Sequence, residues 1–414
     1  MECRAIRDPL WKHIYLPEEL AAALTTPDFV RLSRIRQLGP AELVYPGAVH
    51  TRAGHSLGVY EIARRILERL ELRGADQWIT ATGRISWYAA ALFHDIGHFP
   101  YTHSLKDLPL EEHEVLSGRI VLGDDIARCI AKAGGDPHQV AAIIDTTIPT
   151  TDPQTLFYRR LLSGVLDPDK LDYLNRDAYY CGVPYGIQDT EFTLDQLQPH
   201  QQKGIVLDST AILSVENLLF SKYLMYRSVY WHKQVRIATA MMKKALYAAL
   251  SRQLVNGEAL YQQDDQGIHR LLQAIPQGAF PEIVLAQGVA QRQLYKVVAE
   301  IKFDPDNSFH RQLENLQLRN EAEEQLAQQL GIPAPHLLLD IPERISFESD
   351  LWICGEELPF SQSSTVFSSQ TVASFTGSLR KIRVAIKEKD NLHNTDKIIA
   401  RFFELNYNDC SGLR

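Results

Sequence analysis

Six of the fourteen histidines, His50, His55, His94, His98, His103 and His113, fall within one short stretch of a 414-residue chain. An even scatter would put roughly two there. Imidazole is costly to bury without a partner and is a common ligand of first-row transition metals, so this concentration points to a metal site. Within it, His94 and Asp95 are adjacent in LFHDIGHFPYTH. Downstream, LDPDKLDYLNRD sets Asp167, Asp169, Asp172 and Asp177 around Lys170 and Arg176. Imidazoles and carboxylates together can hold a divalent cation that polarises a phosphoryl oxygen, while neighbouring basic residues neutralise an anionic substrate. A lone His-Asp pair has a plainer reading, a buried histidine bonded to a nearby carbonyl. The second acidic cluster shifts the balance toward chemistry.

The elements around these residues read mainly as helices up to about residue 250. From Gly54 to Leu72, His55, Val59, Ile62, Ile66 and Leu70 recur at steps of four, three, four and four, which predicts a helix with His55 on its apolar face. Ile85 to Phe99 is an apolar run holding Trp87, Ala90 and Ala91, which predicts a buried helix carrying His94 and Asp95, with His98 one turn on. After Thr26-Pro27, the spacing of Phe29, Leu32, Ile35 and Leu38 predicts another helix, stopped by Gly39-Pro40. Asn217 to Leu250 continues in helical style, and Arg311 to Leu330 is a polar helix ended by Gly331 and Pro333. Further on the texture changes. Leu337–Ile341, Leu351–Cys354, Val366–Phe375 and Ile382–Ile386 read as short strands, followed by a helix over Asp396–Phe403. The expected fold class is mainly α, with a helical catalytic lobe over 1–250 and a smaller α+β portion over 251–414.

Hydrophobic residues at 45% and charged residues at 23% describe a folded globular protein. The net charge of -8 argues against a broad nucleic-acid surface, because polyanion binders carry basic stripes. A nucleic acid is therefore not the expected main partner. Five scattered cysteines without a CxxC pair fit a reducing compartment. No run approaches a membrane span of roughly 18 apolar residues, and the N-terminus lacks a leader pattern, so a cytoplasmic location is expected.

The motifs HxRxxHS at 50–56, HDxGHxPxxH at 94–103, HE at 113–114 and DxDKxDYxxRD at 167–177 resemble those of the HD-domain phosphohydrolases. The closest likeness is to the dNTP triphosphohydrolase branch, which includes bacterial dGTPase-like proteins and the animal sterile-alpha-motif/HD-domain dNTPase. RLSRIRQLG at 31–39, YPGAVHTRAGHSLGV at 45–59 and VYWHK at 229–233 extend it. The resemblance implies an all-helical HD domain in which His55, His94, Asp95 and Asp169 ligate one divalent transition metal: Mn, Fe or Zn, with Mg or Ni as further options. It implies that Asp95 also orients the attacking water, that His103 protonates the leaving oxygen, and that His98 and His113 line the same site. Arg52, Lys170 and Lys222 match phosphate-holding positions, Tyr173 and Asp177 match positions at the deoxyribose, and Gln37 and Tyr230 match positions near the sugar or base. Two positions depart from the animal enzyme's pattern. Lys106 stands where an acidic residue is expected, with Asp107 one step later, and Lys222 replaces an arginine.

The implied activity is hydrolysis of deoxynucleoside triphosphates to deoxynucleoside and triphosphate. Two alternatives stand beside it: a phosphohydrolase of another nucleotide (a monophosphate, a cyclic nucleotide or an alarmone), and a nucleotide-binding sensor without turnover. The resemblance also implies a homo-oligomer. Asp8-Pro9 and Lys233 match positions of an allosteric nucleotide site, although no arginine stands near Ala22 where that site would need one.

Overall fold

The computed structural model describes residues 3–276, 278–345, 351–354, 359–363, 365–387 and 394–411. The fold is mainly α, with three small sheets among the described residues. An N-terminal hairpin, Cys3–Asp8 paired with Lys12–Pro17, precedes the helices. Asp8 closes its turn by accepting the backbone N–H groups of Leu10 and Trp11, each at 2.9 Å.

Two long helices form the centre. Arg52–Leu72 begins where the Thr51 side chain caps the Gly54 N–H, and Ala81–Phe93 begins where Thr80 caps Gly83. Both pack their apolar faces into one large core with the helices Pro137–Ile144, Pro153–Leu162 and Pro168–Cys181. In that core the Trp87 and Tyr158 rings stack with centroids 5.4 Å apart. Each of the last three helices starts with an Asp cap followed by proline, a pairing that satisfies an orphan N–H and presets φ. A second core surrounds the helix Lys233–Ser251 and takes in Phe99, Leu105 and Leu108 from the stretch that carries His103.

The C-terminal sheet is antiparallel, with Lys381–Ile386 between Lys296–Lys302 and Leu337–Asp340. It rests on the helices Leu316–Leu330 and Thr395–Ser411. The chain also returns to the first lobe, where Trp352–Ile353 adds a parallel strand beside Gly204–Leu207.

Several expected elements differ, among them the helix expected over Arg311–Leu330, which is divided into Ser308–Gln312 and Leu316–Leu330. The helix after Thr26 stops at Leu32, because Ser33 already caps it and Ile35 and Leu38 reach the core from the irregular turns that follow. The stretch Val366–Phe375 is not a strand, and the chain forms a helix over Ser369–Leu379. Its local β propensity is overridden by a Ser368 cap on the Thr371 N–H and by Val372, Phe375 and Leu379, which face the core at helical spacing. The Asn217 helix breaks at Trp231, after a π-helical turn over Tyr226–Tyr230.

Candidate active site

His55 sits in the first turn of its helix, and the Pro168–Cys181 helix runs directly alongside. Gly58 permits this closeness: a Cβ there would lie 1.9 Å from Asp172 Oδ1 and 2.4 Å from Arg176 Nη2. The approach lets Asp172 Oδ2 accept the His55 Nδ1–H at 2.8 Å. Arg176 grips Asp172 through Nε and Nη2 and reaches Asp8 Oδ2 at 2.9 Å through Nη1. With Nδ1 occupied, His55 presents Nε2 to Asp169 Oδ1 at 2.9 Å.

The expected helix through Asp95 ends at Phe93. His94 is its cap, and Asp95 opens a tight turn. Buried Arg31 holds that turn by donating to the carbonyls of Ile96 (2.8 Å) and His98 (2.5 Å), and Ser117 bridges the Gly97 N–H and the His94 carbonyl. At Gly97 a Cβ would stand 2.4 Å from the His113 carbonyl oxygen, so glycine is required for the turn to seat. His94 keeps helical dihedrals, and the turn that follows leaves Asp95 Oδ1 3.3 Å from His94 Nε2.

These four side chains suit a divalent cation. His94 donates Nδ1–H to the Ala91 carbonyl at 2.9 Å, which leaves Nε2 with a lone pair. That nitrogen is buried with no hydrogen-bond partner among the described residues. It lies 3.9 Å from Asp169 Oδ1, while His55 Nε2 is 3.9 Å from Asp95 Oδ2. Donor atoms of His55, His94 and Asp95 all fall within 4.8 Å of one another. Burial alone would keep His55 neutral, but its bonds to Asp169 and Asp172 win and raise its pKa to about 10. Asp169 shifts the other way. Burial opposes its charge, yet His55 and then His94 hold it below the usual carboxylate value. The carboxylates thus favour positive charge at His55, which a ligated cation would supply in place of the second proton.

Beside this cluster lie three more imidazoles. His98 Nδ1 is 3.1 Å from Asp95 Oδ1, and its Nε2 is 3.1 Å from His103 Nε2. The His98 and His113 ring centroids are 3.8 Å apart. Burial, then the nearby Arg52 charge, pushes His98 and His103 below the ordinary histidine value. Arg52 Nη1 donates to Asp95 Oδ2 at 2.6 Å. A second carboxylate facing this group, besides Asp95, is Glu114, with Oε2 3.1 Å from His113 Nδ1, while Asp107 is bonded to Lys243 instead.

All of this opens into a cleft of about 1070 Å³. Arg52, His94, Asp95, His103, His113 and Asp169 line it, with Lys106 at its edge; His55 and His98 stand behind the wall. Lys170 lines it too, with Nζ donating to the Gly164 carbonyl at 3.0 Å and to Asp167 Oδ2 at 2.6 Å. Burial raises the Asp167 pKa to about 7 against the pull of Lys170. Farther along are Gln37, Tyr173, Asp177 and Tyr230. Asp177 accepts the Tyr230 hydroxyl at 2.7 Å and faces His50 Nε2 at 2.8 Å. The Gln37 Oε1 is buried with no hydrogen-bond partner among the described residues.

Lys222, expected at the phosphates, does not line the cleft. It is buried on the Ile212–Met225 helix one turn before the π-helical segment, which supplies Tyr226, Val229 and Tyr230 to the wall in its place. Such π turns recur at functional sites. Asp172, Arg176, Arg31 and Ser117 were not singled out as site residues from sequence. Asp172 and Arg176 stand in the acidic cluster at 167–177, four residues apart, which is the spacing of a helical ion pair.

Comparison with known proteins agrees with this geometry. Residues 52–149 match the HD domain model, and residues 189–367 match the model of an HD associated region. The chain is 36% identical to the uncharacterized protein YwfO of Bacillus subtilis, over 60% of this chain and 56% of that one. It is 25% identical to the deoxynucleoside triphosphate triphosphohydrolase SAMHD1 homolog of Dictyostelium discoideum, over 73% of this chain and 61% of that protein. The chain thus spans a little over half the length of the curated relatives it matches. Its fold is shared with a hypothetical protein from Aquifex aeolicus, with a TM-score of 0.73 at 24% identity, covering 96% of this chain and 99% of the other. The chain thus carries an HD domain, in which His94 and Asp95 lie, followed by an HD associated region.

Proposed function

We propose that the protein is a metal-dependent hydrolase of deoxynucleoside triphosphates, releasing deoxynucleoside and triphosphate. The observation that carries the reading is one continuous wall on which His94, Asp95 and Asp169, backed by His55, stand beside cationic Arg52 and Lys170 and lead to Tyr173, Tyr230 and Asp177. Similarity to proteins named as deoxynucleoside triphosphate triphosphohydrolases supports the same substrate class.

His55, His94, Asp95 and Asp169 would hold one divalent ion, with Mn, Fe or Zn suited to two imidazoles and two carboxylates. When bound, the ion supplies Lewis acidity toward a phosphate oxygen. The side chains do the rest. Arg52 and Lys170 meet the negative charge of the polyphosphate, and Asp95 orients a water toward the α-phosphorus. A bond forms from the water oxygen to phosphorus while the bond to the 5′ oxygen breaks, and His103 delivers a proton to that oxygen. His103 opens onto the cleft, where the enclosing walls and the Arg52 charge favour the neutral imidazole. Four negative charges on an entering triphosphate oppose both influences and favour the protonated imidazole. Tyr173 offers a flat face to the sugar, leaving little room for a 2′-hydroxyl.

No described helix is long and apolar enough to cross a membrane. A cytoplasmic location and a homo-oligomer belong to this proposal. A second, regulatory nucleotide has weaker support, because the Asp8 carboxylate is already used by its own turn and by Arg176.

The test is to incubate purified protein with Mn and a panel of nucleotides and to resolve the products. Triphosphate released from dNTPs, and abolished in His94→Ala, supports the reading. Orthophosphate from a different nucleotide would replace the substrate class, and tight dNTP binding without turnover would make the protein a sensor.

A further inference from the structure

The stretch that carries His103 is tied down by an ion pair that the reaction above does not use. Asp107 lies four residues beyond His103, and Lys243 Nζ donates to its Oδ2 at 2.7 Å. Lys243 stands on the helix Lys233–Ser251 with its side chain only 8% exposed. A lysine so enclosed needs acidic partners, and its second is Glu343 Oε1 at 3.4 Å. The pairing continues. Arg236 Nη1 donates to Glu343 at 3.1 Å and Nη2 to Asp340 at 2.6 Å, and Arg383 Nη1 donates to Asp340 at 3.0 Å. Six charged side chains thus link the C-terminal sheet to the His103 stretch, and two of them, Arg236 and Glu343, form part of the cleft wall.

The other hydrogen bonds of the stretch are local turn bonds and the 3.1 Å contact of His103 Nε2 with neighbouring His98, none of which reaches the helix Lys233–Ser251. It leaves Phe99 through Tyr101 at a φ of +65°, makes a single 3-10 turn over Thr102–Leu105, and buries Leu105 and Leu108 beside the helix that carries Lys243. Apolar burial sets how deep such a segment sits but is non-directional. An ion pair between a buried lysine and Asp107 fixes where it sits along that helix.

We propose that Lys243 is a positioning residue for His103, acting through Asp107 to hold the proton donor in register with the metal cluster. This rests on the reading of His103 as donor. The acidic residue that the motif would place three positions after His103 is Lys106 here; the carboxylate one step later serves the anchor and not the imidazole.

Two variants and a rescue test it, Lys243→Met, Asp107→Asn and Lys243→Arg, each assayed with Mn and the dNTP on which the wild type is most active. Hydrogen exchange across residues 102–108 is followed in the metal-free proteins. Lys243→Met and Asp107→Asn should lower kcat on the order of 10- to 100-fold with KM within about twofold, as a slight misplacement of a catalytic group does. Exchange over 102–108 should quicken by about tenfold, with Lys243→Arg restoring most of both. Should Lys243→Met fail to fold, Asp107→Asn carries the test, since its side chain is one-third exposed. A kcat within about twofold of wild type in the folded variants, or unchanged exchange, overturns the proposal. A wild type that hydrolyses no nucleotide instead sinks the functional reading, and the exchange comparison, which needs no substrate, still decides whether Lys243 holds the stretch.

Discussion

Asp172 and His55 meet at 2.8 Å, carboxylate to Nδ1, and this contact decides which ring nitrogen of His55 faces the cluster. Asp172 is fully buried and is itself gripped by Arg176, whose charge outweighs burial and holds the carboxyl well below the usual range. An acceptor so firmly ionised keeps a proton on Nδ1, so Nε2 is the nitrogen turned toward Asp169 and the one that would ligate a cation.

Replacing Asp172 by Asn should therefore weaken Mn binding about 10- to 100-fold, the usual cost of removing a partner that orients a metal-ligating histidine. Isothermal titration on the folded variant measures it. The variant should also melt lower, because Arg176 loses a buried counter-ion, a loss of roughly 3 kcal/mol. Unchanged Mn affinity would mean that Asp172 serves only Arg176.

Gly58→Ala sets two effects against each other. Helix propensity favours alanine by about 1 kcal/mol. The new methyl would fall 1.9 Å from Asp172 Oδ1 and 2.4 Å from Arg176 Nη2, both fixed in the ion network and unable to swing aside. Overpacking of this kind costs about 1 to 3 kcal/mol or more, so net destabilisation is expected in urea titrations, together with weakened metal binding. A variant as stable as wild type would show that the two helices can separate freely.

Asp265 gives a pH signature away from the metal cluster. Burial raises its pKa to about 6, against the Arg36 N–H that it accepts at 2.9 Å. Because the folded value exceeds the unfolded one, its contribution is fully present below the unfolded pKa and is lost as pH rises through about 6. Asn at this position can still accept the Arg36 N–H without carrying charge. Asp265→Asn should then be more stable than wild type by about 1 kcal/mol at pH 8, after allowance for solvent screening, and no more stable at pH 4. Equal stability differences at the two pH values would contradict this.

Much of the site was legible because its clues were local. The steps from His55 to Leu70 placed the histidine on a buried face, and the motif around His94 and Asp95 marked the second pair of donors. What escaped depended on long-range packing. The turn at Asp95 is held by Arg31 and Ser117, from elements distant in sequence. Lys222, placed at the phosphates by resemblance, is buried on the Ile212–Met225 helix, and the π-helical turn after it supplies Tyr226 and Tyr230 to the wall. In the Val366–Phe375 stretch, β-forming residues masked a helix that Ser368 caps and Phe375 anchors by stacking on Tyr223 with centroids 4.4 Å apart.

The most direct measurement is a crystal structure of Mn-loaded protein with anomalous scattering data. The account predicts one strong peak within bonding distance of His55 Nε2, His94 Nε2, Asp95 and Asp169, absent in crystals of His94→Ala. A peak elsewhere, or none at these four side chains under saturating Mn, would contradict it.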